Sequence, residues 1–332
     1  MNILVTGSAG FIGFHVAKKL LKKGYKVLGI DNHNDYYDQA LKENRLNVLN
    51  DYEKYKHFRV DLDAEDSINE IFSNHNIRVV INLAAQAGVR YSIENPKSYI
   101  KSNLNGFFNI LNCSKEHNIE HFIYASSSSV YGANEEQPYS ESHHTASPLS
   151  LYAATKRSNE IIAHSYSSLF KINTTGLRFF TVYGPWGRPD MALYKFTEKI
   201  IKGEEIEVFN EGKHIRDFTY IDDVVKMILT IMKDYPFKEV DNSSAGHSTK
   251  CPWRIFNIGN GNPQPLMTYI NEIESKLGVT ARKKFLPLQD GDVPETSADI
   301  SKFEEFYGYR PLTQIKEGVG NFIDWYKEYE GI

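Results

Sequence analysis

Cysteine is scarce. Cys113 and Cys251 are the only two in 332 residues, far apart and outside any CxxC pattern, which excludes a disulfide framework and a cysteine-based zinc site and fits a reducing compartment. No window approaches eighteen consecutive apolar residues, so no membrane span is expected. The apolar start, residues 1–6, is too short for a signal peptide and lacks a basic flank, and a cytoplasmic location follows. Excess charge of one sign is also missing. The net charge is −4 with acids and bases interspersed, which argues against nucleic acid or a membrane surface as partner and leaves a small molecule. No internal repeat occurs, which removes solenoids and propellers.

What is present reads as an ordinary globular chain, long enough for one large α/β unit or for two domains sharing a cleft. β-Rich runs at 2–6, 26–31, 57–61, 79–83, 121–126 and 173–178 alternate with helical patterns at 11–23, 67–74, 96–116 and 152–170. Such alternation implies a doubly wound parallel sheet with helices on both faces and ligands at the carboxyl ends of its strands. After about residue 178 the rhythm changes, with Gly184-Pro185 and Arg188-Pro189, as expected of a smaller second domain. The polar stretch 241–250 reads as a loop.

The first strand runs into Gly7-Ser8-Ala9-Gly10-Phe11-Ile12-Gly13 and then into a helix. A pyrophosphate needs that order: glycine permits the tight turn and close approach, and the helix start offers amides and a favourable dipole. Asp31 ends the second strand about 18 residues beyond the last glycine, where a carboxylate accepts both ribose hydroxyls of adenosine and repels a 2′-phosphate. The cofactor expected is therefore NAD, with Asn32 beside Asp31 and with Asp61 and Leu62 bordering the adenine. Asp61 also has a plain reading as a turn carboxylate.

Tyr152 and Lys156 are four apart at the start of a helical segment, so both project from one face. An ammonium about 4 Å from the phenol favours phenolate by roughly 4 kcal/mol at an effective dielectric of about 20, or about three pKa units before desolvation is subtracted. Tyr152 is thus expected to titrate near pH 7 and to serve as a general base while a hydride leaves the same carbon. Upstream, Ala125-Ser126-Ser127-Ser128-Ser129-Val130-Tyr131-Gly132 places hydroxyls at the carboxyl edge of the sheet, where one can share the substrate proton.

These segments, with Asn82-Leu83-Ala84-Ala85-Gln86-Ala87, the run 178–185 and the run 216–223, resemble the extended short-chain dehydrogenase/reductase family of nucleotide-sugar epimerases and dehydratases over essentially the full length. Within it the likeness is greatest to UDP-glucuronate 4-epimerases, through Ala87-Gly88-Val89-Arg90 and the run 185–192. The resemblance implies a Rossmann-like NAD-binding domain over 1–178, with 217–258 packing back on it, and a mainly nucleotide-sugar-binding α/β domain over 179–332. It makes Tyr152 the base, Lys156 the residue that positions the nicotinamide ribose, and Ser127 the hydroxyl partner. Ala84, Ala85 and Asn103 join the cofactor site, Asn103 by supporting the helix around it. Arg216 would hold the diphosphate, Phe209 would stack on uracil, and Asp292 would take the uridine ribose. One departure is Gln289, where hexose-type epimerases carry arginine; phosphate neutralisation then rests on Arg216 and Arg90. A homodimer through the helices 96–116 and 152–170 is also implied.

Oxidation at carbon 4 leaves a 4-keto sugar that can turn over and be reduced, lose water, or lose a carboxylate. Related dehydratases carry an acid pair, and decarboxylases a glutamate, where this chain has Ser127-Ser128-Ser129, which favours epimerisation. A glucuronate adds a hazard, because its 4-keto form is a β-keto acid. Ser126, Ser128, Thr181 and Arg188 are expected to hold the carboxylate. Two alternatives stand beside this reading: an epimerase of neutral UDP-hexose or UDP-N-acetylhexosamine, and an NAD-binding protein without turnover.

Overall fold

Short runs such as Asn2–Thr6 (NILVT) and Ile77–Asn82 (IRVVIN) are almost wholly buried, as strands covered on both faces must be. The computed structural model describes residues 1–235, 251–289 and 292–332; the expected loop at 241–250 and Gly291 lie outside them. The first strands are β1 (Asn2–Thr6), β2 (Lys26–Ile30), β3 (Tyr55–Phe58), β4 (Ile77–Asn82), β5 (His121–Ser127) and β6 (Thr174–Phe179). They are followed by β7 (Thr181–Tyr183), β8 (Ile206–Val208), β9 (Ile215–Arg216), β10 (Phe218–Tyr220), β11 (Trp253–Ile258), β12 (Gln264–Pro265) and β13 (Lys283–Phe285).

Seven of these strands form one parallel sheet in the order β11-β6-β5-β4-β1-β2-β3, the doubly wound arrangement expected. Side chains alternate across it, so Ile3 and Val5 join one core and Leu4 the other. Winding runs outward in both directions from β1, and the β1/β4 junction is the point where the order reverses. A crevice opens there at the strands' carboxyl ends. The remaining strands make three short ribbons, β7 with β10, β8 with β13 and β9 with β12, packed with the helices Ala192–Ile201, Leu266–Leu277 and Ile315–Glu330.

Two local expectations need correction, and one helix was not foreseen. The third strand ends at Phe58 rather than residue 61, because its register with β2 (Val27 opposite Tyr55, Ile30 opposite Phe58) runs out there. Val60, Asp61 and Leu62 consequently leave the sheet and line the crevice. The stretch 96–116 is not one regular helix: α-helical Pro96–Tyr99 passes through a π-helical segment, Ile100–Gly106, before Phe107–Glu116. A helix at Gln39–Asn50, capped by the Asp38 carboxylate on the Ala40 amide, escaped the periodicity. Its buried face is Leu41, Lys42, Arg45 and Leu49, half of it cationic.

Candidate active site

Gly7 follows β1 at φ +69°, its amide donating to the Ile30 carbonyl (2.7 Å), while the Gly10 amide donates to the Gly7 carbonyl (2.9 Å). A Cβ on Gly13 would lie 2.0 Å from the Gly7 carbonyl oxygen, so the helix Phe11–Lys22 can start this close to the turn only with glycine there. That helix has neither a capping side chain nor an acid in its first turn. Its first amides and its dipole are therefore left for an anion.

The crevice, about 1400 Å³ counted to its open mouth, is lined by Gly7, Gly10, Phe11, Ile12, Gly13, Asp31, Asn32, Asp61, Leu62, Ala84 and Ala85 at one end. Ser127, Tyr152, Lys156 and Arg188 line the other. Asp31 is already engaged by the Ala9 amide (3.1 Å) and the His33 amide (2.9 Å), leaving about half of its four lone-pair directions open. At the sheet's reversal point the Thr6 hydroxyl donates to Asn82 Oδ1 (2.6 Å) and accepts from the Ala84 amide (3.1 Å), closing the floor.

Ser150 caps the helix Leu151–Phe170 by accepting from the Ala153 amide (3.1 Å), which fixes the first turn that carries Tyr152 and Lys156. Lys156 Nζ donates to the Ala125 carbonyl (2.9 Å), and burial pulls its pKa down to about 8. The expected fall of Tyr152 toward neutrality does not occur. Desolvation pushes the phenol up, and the groups that pull it back are the Ser127 hydroxyl, by a hydrogen bond, and the Arg188 guanidinium, by charge. Helical spacing brings Lys156 to the same face, but its ammonium is anchored on the end of β5.

A second cavity of about 660 Å³ is lined by Val89, Ser128, Ser129, Tyr139, Thr181, Arg216 and Asp292, so that Ser127/Ser128 and Phe180/Thr181/Val182 form the wall between the two spaces. At its far side Arg216 Nη2 donates to Asp292 Oδ1 (2.9 Å), and Arg90 Nη2 lies 3.8 Å from Asp292 Oδ2. The Arg90 guanidinium sits 5.6 Å above the Phe209 ring. Burial alone would raise Asp292, but the approach of His214 Nε2 to its Oδ2 (3.4 Å) and the charge of Arg216 hold it below the usual carboxylate range.

Two expected site residues are already engaged within the protein. Asn103 lines neither cavity: its Oδ1 accepts from the Gln86 amide (2.7 Å), and its Nδ2 donates to the Gln86 carbonyl (3.0 Å) and to Thr155 Oγ1 (3.1 Å). It thereby ties the segment after β4 to the residue before Lys156, from within the π-helical segment. Ser126 borders the crevice, but its one hydroxyl proton goes to Glu160 (2.6 Å), itself held by Arg178 (2.9 Å) and Arg157 (2.9 Å). That proton is not available to a substrate carboxylate.

The sequence reading missed Tyr36, Lys42, Arg45 and Asp190. Fully buried Arg45 donates to the carbonyls of Ala9 (2.9 Å) and Trp186 (2.6 Å), and His15 Nε2 donates to Pro185 (2.9 Å). The segment leading into Arg188 is thus fastened to the first domain. The tyrosine pair Tyr36-Tyr37, set in a polar run, was the one available signal.

The sequence model of the NAD dependent epimerase/dehydratase family matches residues 3–250. Protein CapI of Staphylococcus aureus is 52% identical over 332 residues, covering 99% of each chain. A probable UDP-glucuronate 4-epimerase of Rhizobium meliloti is 44% identical over 99% of this chain and 97% of its own. Among solved structures, the UDP-glucuronic acid 4-epimerase of Bacillus cereus, in complex with UDP-glucuronic acid and NAD, superposes with a TM-score of 0.89 at 32% identity, over 99% of this chain and 100% of that one. With the family model matched over residues 3–250 and relatives 44–52% identical over nearly the full length, the chain belongs to the NAD dependent epimerase/dehydratase family.

Proposed function

We propose that the protein interconverts UDP-glucuronate and UDP-galacturonate by NAD-dependent epimerisation at carbon 4. The observation that carries this reading is Arg188, a cation lining the same crevice as Tyr152, Lys156 and Ser127 and close enough to act on the Tyr152 phenol. NAD held in the crevice would supply reversible hydride chemistry at carbon 4.

The chain's own residues do the rest. The turn Gly7–Gly13 takes the pyrophosphate, Asp31 and Asn32 the adenosine ribose, and Asp61, Leu62, Ala84 and Ala85 the walls around adenine and ribose. Tyr152 receives the carbon-4 hydroxyl proton through a hydrogen bond shared with Ser127, and Lys156 holds the nicotinamide ribose. Arg216 and Arg90 neutralise the diphosphate, Phe209 packs on uracil and Asp292 takes the uridine ribose. Arg188, Ser128 and Thr181 hold the carboxylate. Residues 1–178 with the returning 217–258 form the cofactor half, and most of 179–332 the substrate half.

The exposed apolar side chains Ile100, Phe108, Ile161, Leu169 and Phe170, all on the two helical stretches, support a homodimer through them. No helix among the described residues is long and apolar enough to cross a membrane, and a chain with only two cysteines, both buried, suits the cytoplasm, where the product would feed polysaccharide biosynthesis.

NMR of UDP-glucuronate incubated with the purified protein, without added NAD, tests the proposal. UDP-galacturonate should accumulate to equilibrium. Conversion of UDP-glucose or UDP-N-acetylglucosamine in place of the uronate, or stoichiometric consumption of NAD, would overturn it.

A further inference from the structure

Arg188 does not stand alone in the crevice. Its Nε donates to Asp190 Oδ1 (2.9 Å) and its Nη2 to Asp190 Oδ2 (2.5 Å), so one edge of the guanidinium fork is filled by a carboxylate two residues away. Tyr36, from the segment after β2, donates its hydroxyl to the same Oδ2 (3.1 Å) and lies 5.8 Å from the guanidinium carbon with its ring face. Tyr36 is itself confined. A Cβ on Gly88 would come within 2.4 Å of its hydroxyl, and Gly88 sits at φ +98°.

A guanidinium carries five N–H donors in a rigid plane. Asp190 takes two of them on the Nε/Nη2 edge. Of the other three, two form the head-on Nη1/Nη2 edge, which has no acceptor at hydrogen-bond distance among the described residues, while the side chain borders the crevice. That edge is the one that accepts a second carboxylate in bidentate fashion.

We infer that Asp190, backed by Tyr36, is a positioning residue that sets the plane of the Arg188 guanidinium and, through it, determines whether the substrate keeps its carboxylate. The inference rests on the uronate reading of the site. In the 4-keto intermediate, carbon dioxide is lost when the C5–C6 bond lies along the ketone π system. That bond breaks, its electron pair passes through C5 into the C4 carbonyl as an enolate, and the enolate takes a proton at C5. Return of the stored hydride then gives a UDP-pentose, with one proton consumed and one carbon dioxide released. A guanidinium fixed in plane holds the carboxylate away from this alignment. A guanidinium that swings lets it turn.

The experiment measures UDP-glucuronate, UDP-galacturonate and UDP-pentose over time by NMR for wild type, Asp190→Ala, Asp190→Glu and Tyr36→Phe, with bound NAD and melting temperature recorded for each. Asp190→Ala should raise the UDP-pentose share of the products roughly tenfold, as loss of a charge-assisted hydrogen-bond pair allows, and Tyr36→Phe roughly threefold. Asp190→Glu should return the share toward wild type. A merely structural ion pair would lower the melting temperature or NAD content with the share unchanged, and that result overturns the inference. If Asp190→Ala does not fold, an unchanged share in Tyr36→Phe overturns it equally. A wild type that leaves UDP-glucuronate unconverted defeats the functional reading and this inference together; an active wild type with unchanged shares in the variants defeats this inference alone.

Discussion

Arg45 donates to the carbonyl of Ala9 from a position without solvent exposure, in the middle of the turn between Gly7 and Gly10. The same guanidinium reaches Trp186 and Tyr37, so one side chain links the glycine turn to the segment that carries Arg188. Among the described residues it forms no ion pair, and its charge lies behind the glycine turn.

Arg45→Met keeps most of the volume but strips the Ala9 and Trp186 carbonyls of their donor. Each buried acceptor left unpaired costs about 1–3 kcal/mol. A melting temperature lower by several degrees and a reduced content of copurified NAD are expected, measured by thermal shift and by cofactor released on denaturation. Full NAD occupancy in the variant would show that Arg45 has no part in holding the turn.

Tyr152→Phe should lower turnover by a factor of about a hundred or more with substrate affinity nearly intact. Burial raises the Tyr152 pKa, so the phenolate fraction grows with pH. Wild-type turnover should therefore increase from pH 7 toward pH 9, and that limb should vanish in the phenylalanine variant. A pH–rate profile of both proteins decides it.

Arg188→Ala should weaken uronate recognition by roughly 2–5 kcal/mol, because a desolvated carboxylate loses its partner, while neutral UDP-sugars are far less affected. The side chain also leaves Asp190 unpaired, so some general loss accompanies the selective one. Inhibition constants for UDP-glucuronate and UDP-glucose, compared between wild type and variant, separate the two contributions. Equal losses on both ligands would mark Arg188 as structural.

His15 holds the Pro185 carbonyl, and burial lowers its pKa to about 3 from 6.5. The folded protein takes no proton there until near pH 3, whereas the unfolded chain takes one below 6.5. The unfolded state thus binds more protons in that window, and stability present above pH 6.5 is lost as pH falls. The loss amounts to about 2 kcal/mol between pH 6.5 and 5. His15→Gln keeps a donor for Pro185 without a titration, so its denaturation midpoint should fall less steeply over the same range. Identical slopes for both proteins would contradict this.

Short-range pattern was enough for much of the molecule. The strand-turn-helix order around Gly7–Gly13, the spacing of Tyr152 and Lys156, and the β-α alternation are properties of single elements, and backbone geometry alone carries them into the fold. Asp61 and Leu62 reach the crevice although their strand was placed too long, since they follow β3 either way.

What escaped has one physical origin. Arg45 meets Trp186 across 141 positions, Tyr36 meets Asp190 across 154, and Arg216 meets Asp292 across 76. No periodicity encodes such pairs, because they depend on how the second part of the chain packs against the sheet. The family likeness grouped Arg216 with Asp292, yet nothing local indicated that Asp190 fills one edge of Arg188 or that Glu160 takes the Ser126 proton. The titration of Tyr152 is the clearest case. Spacing along one helix promised a lysine beside the phenol, but proton affinity depends on desolvation and on every charge nearby, and those are set by residues brought together from β5, the Ser127 turn and the Arg188 segment.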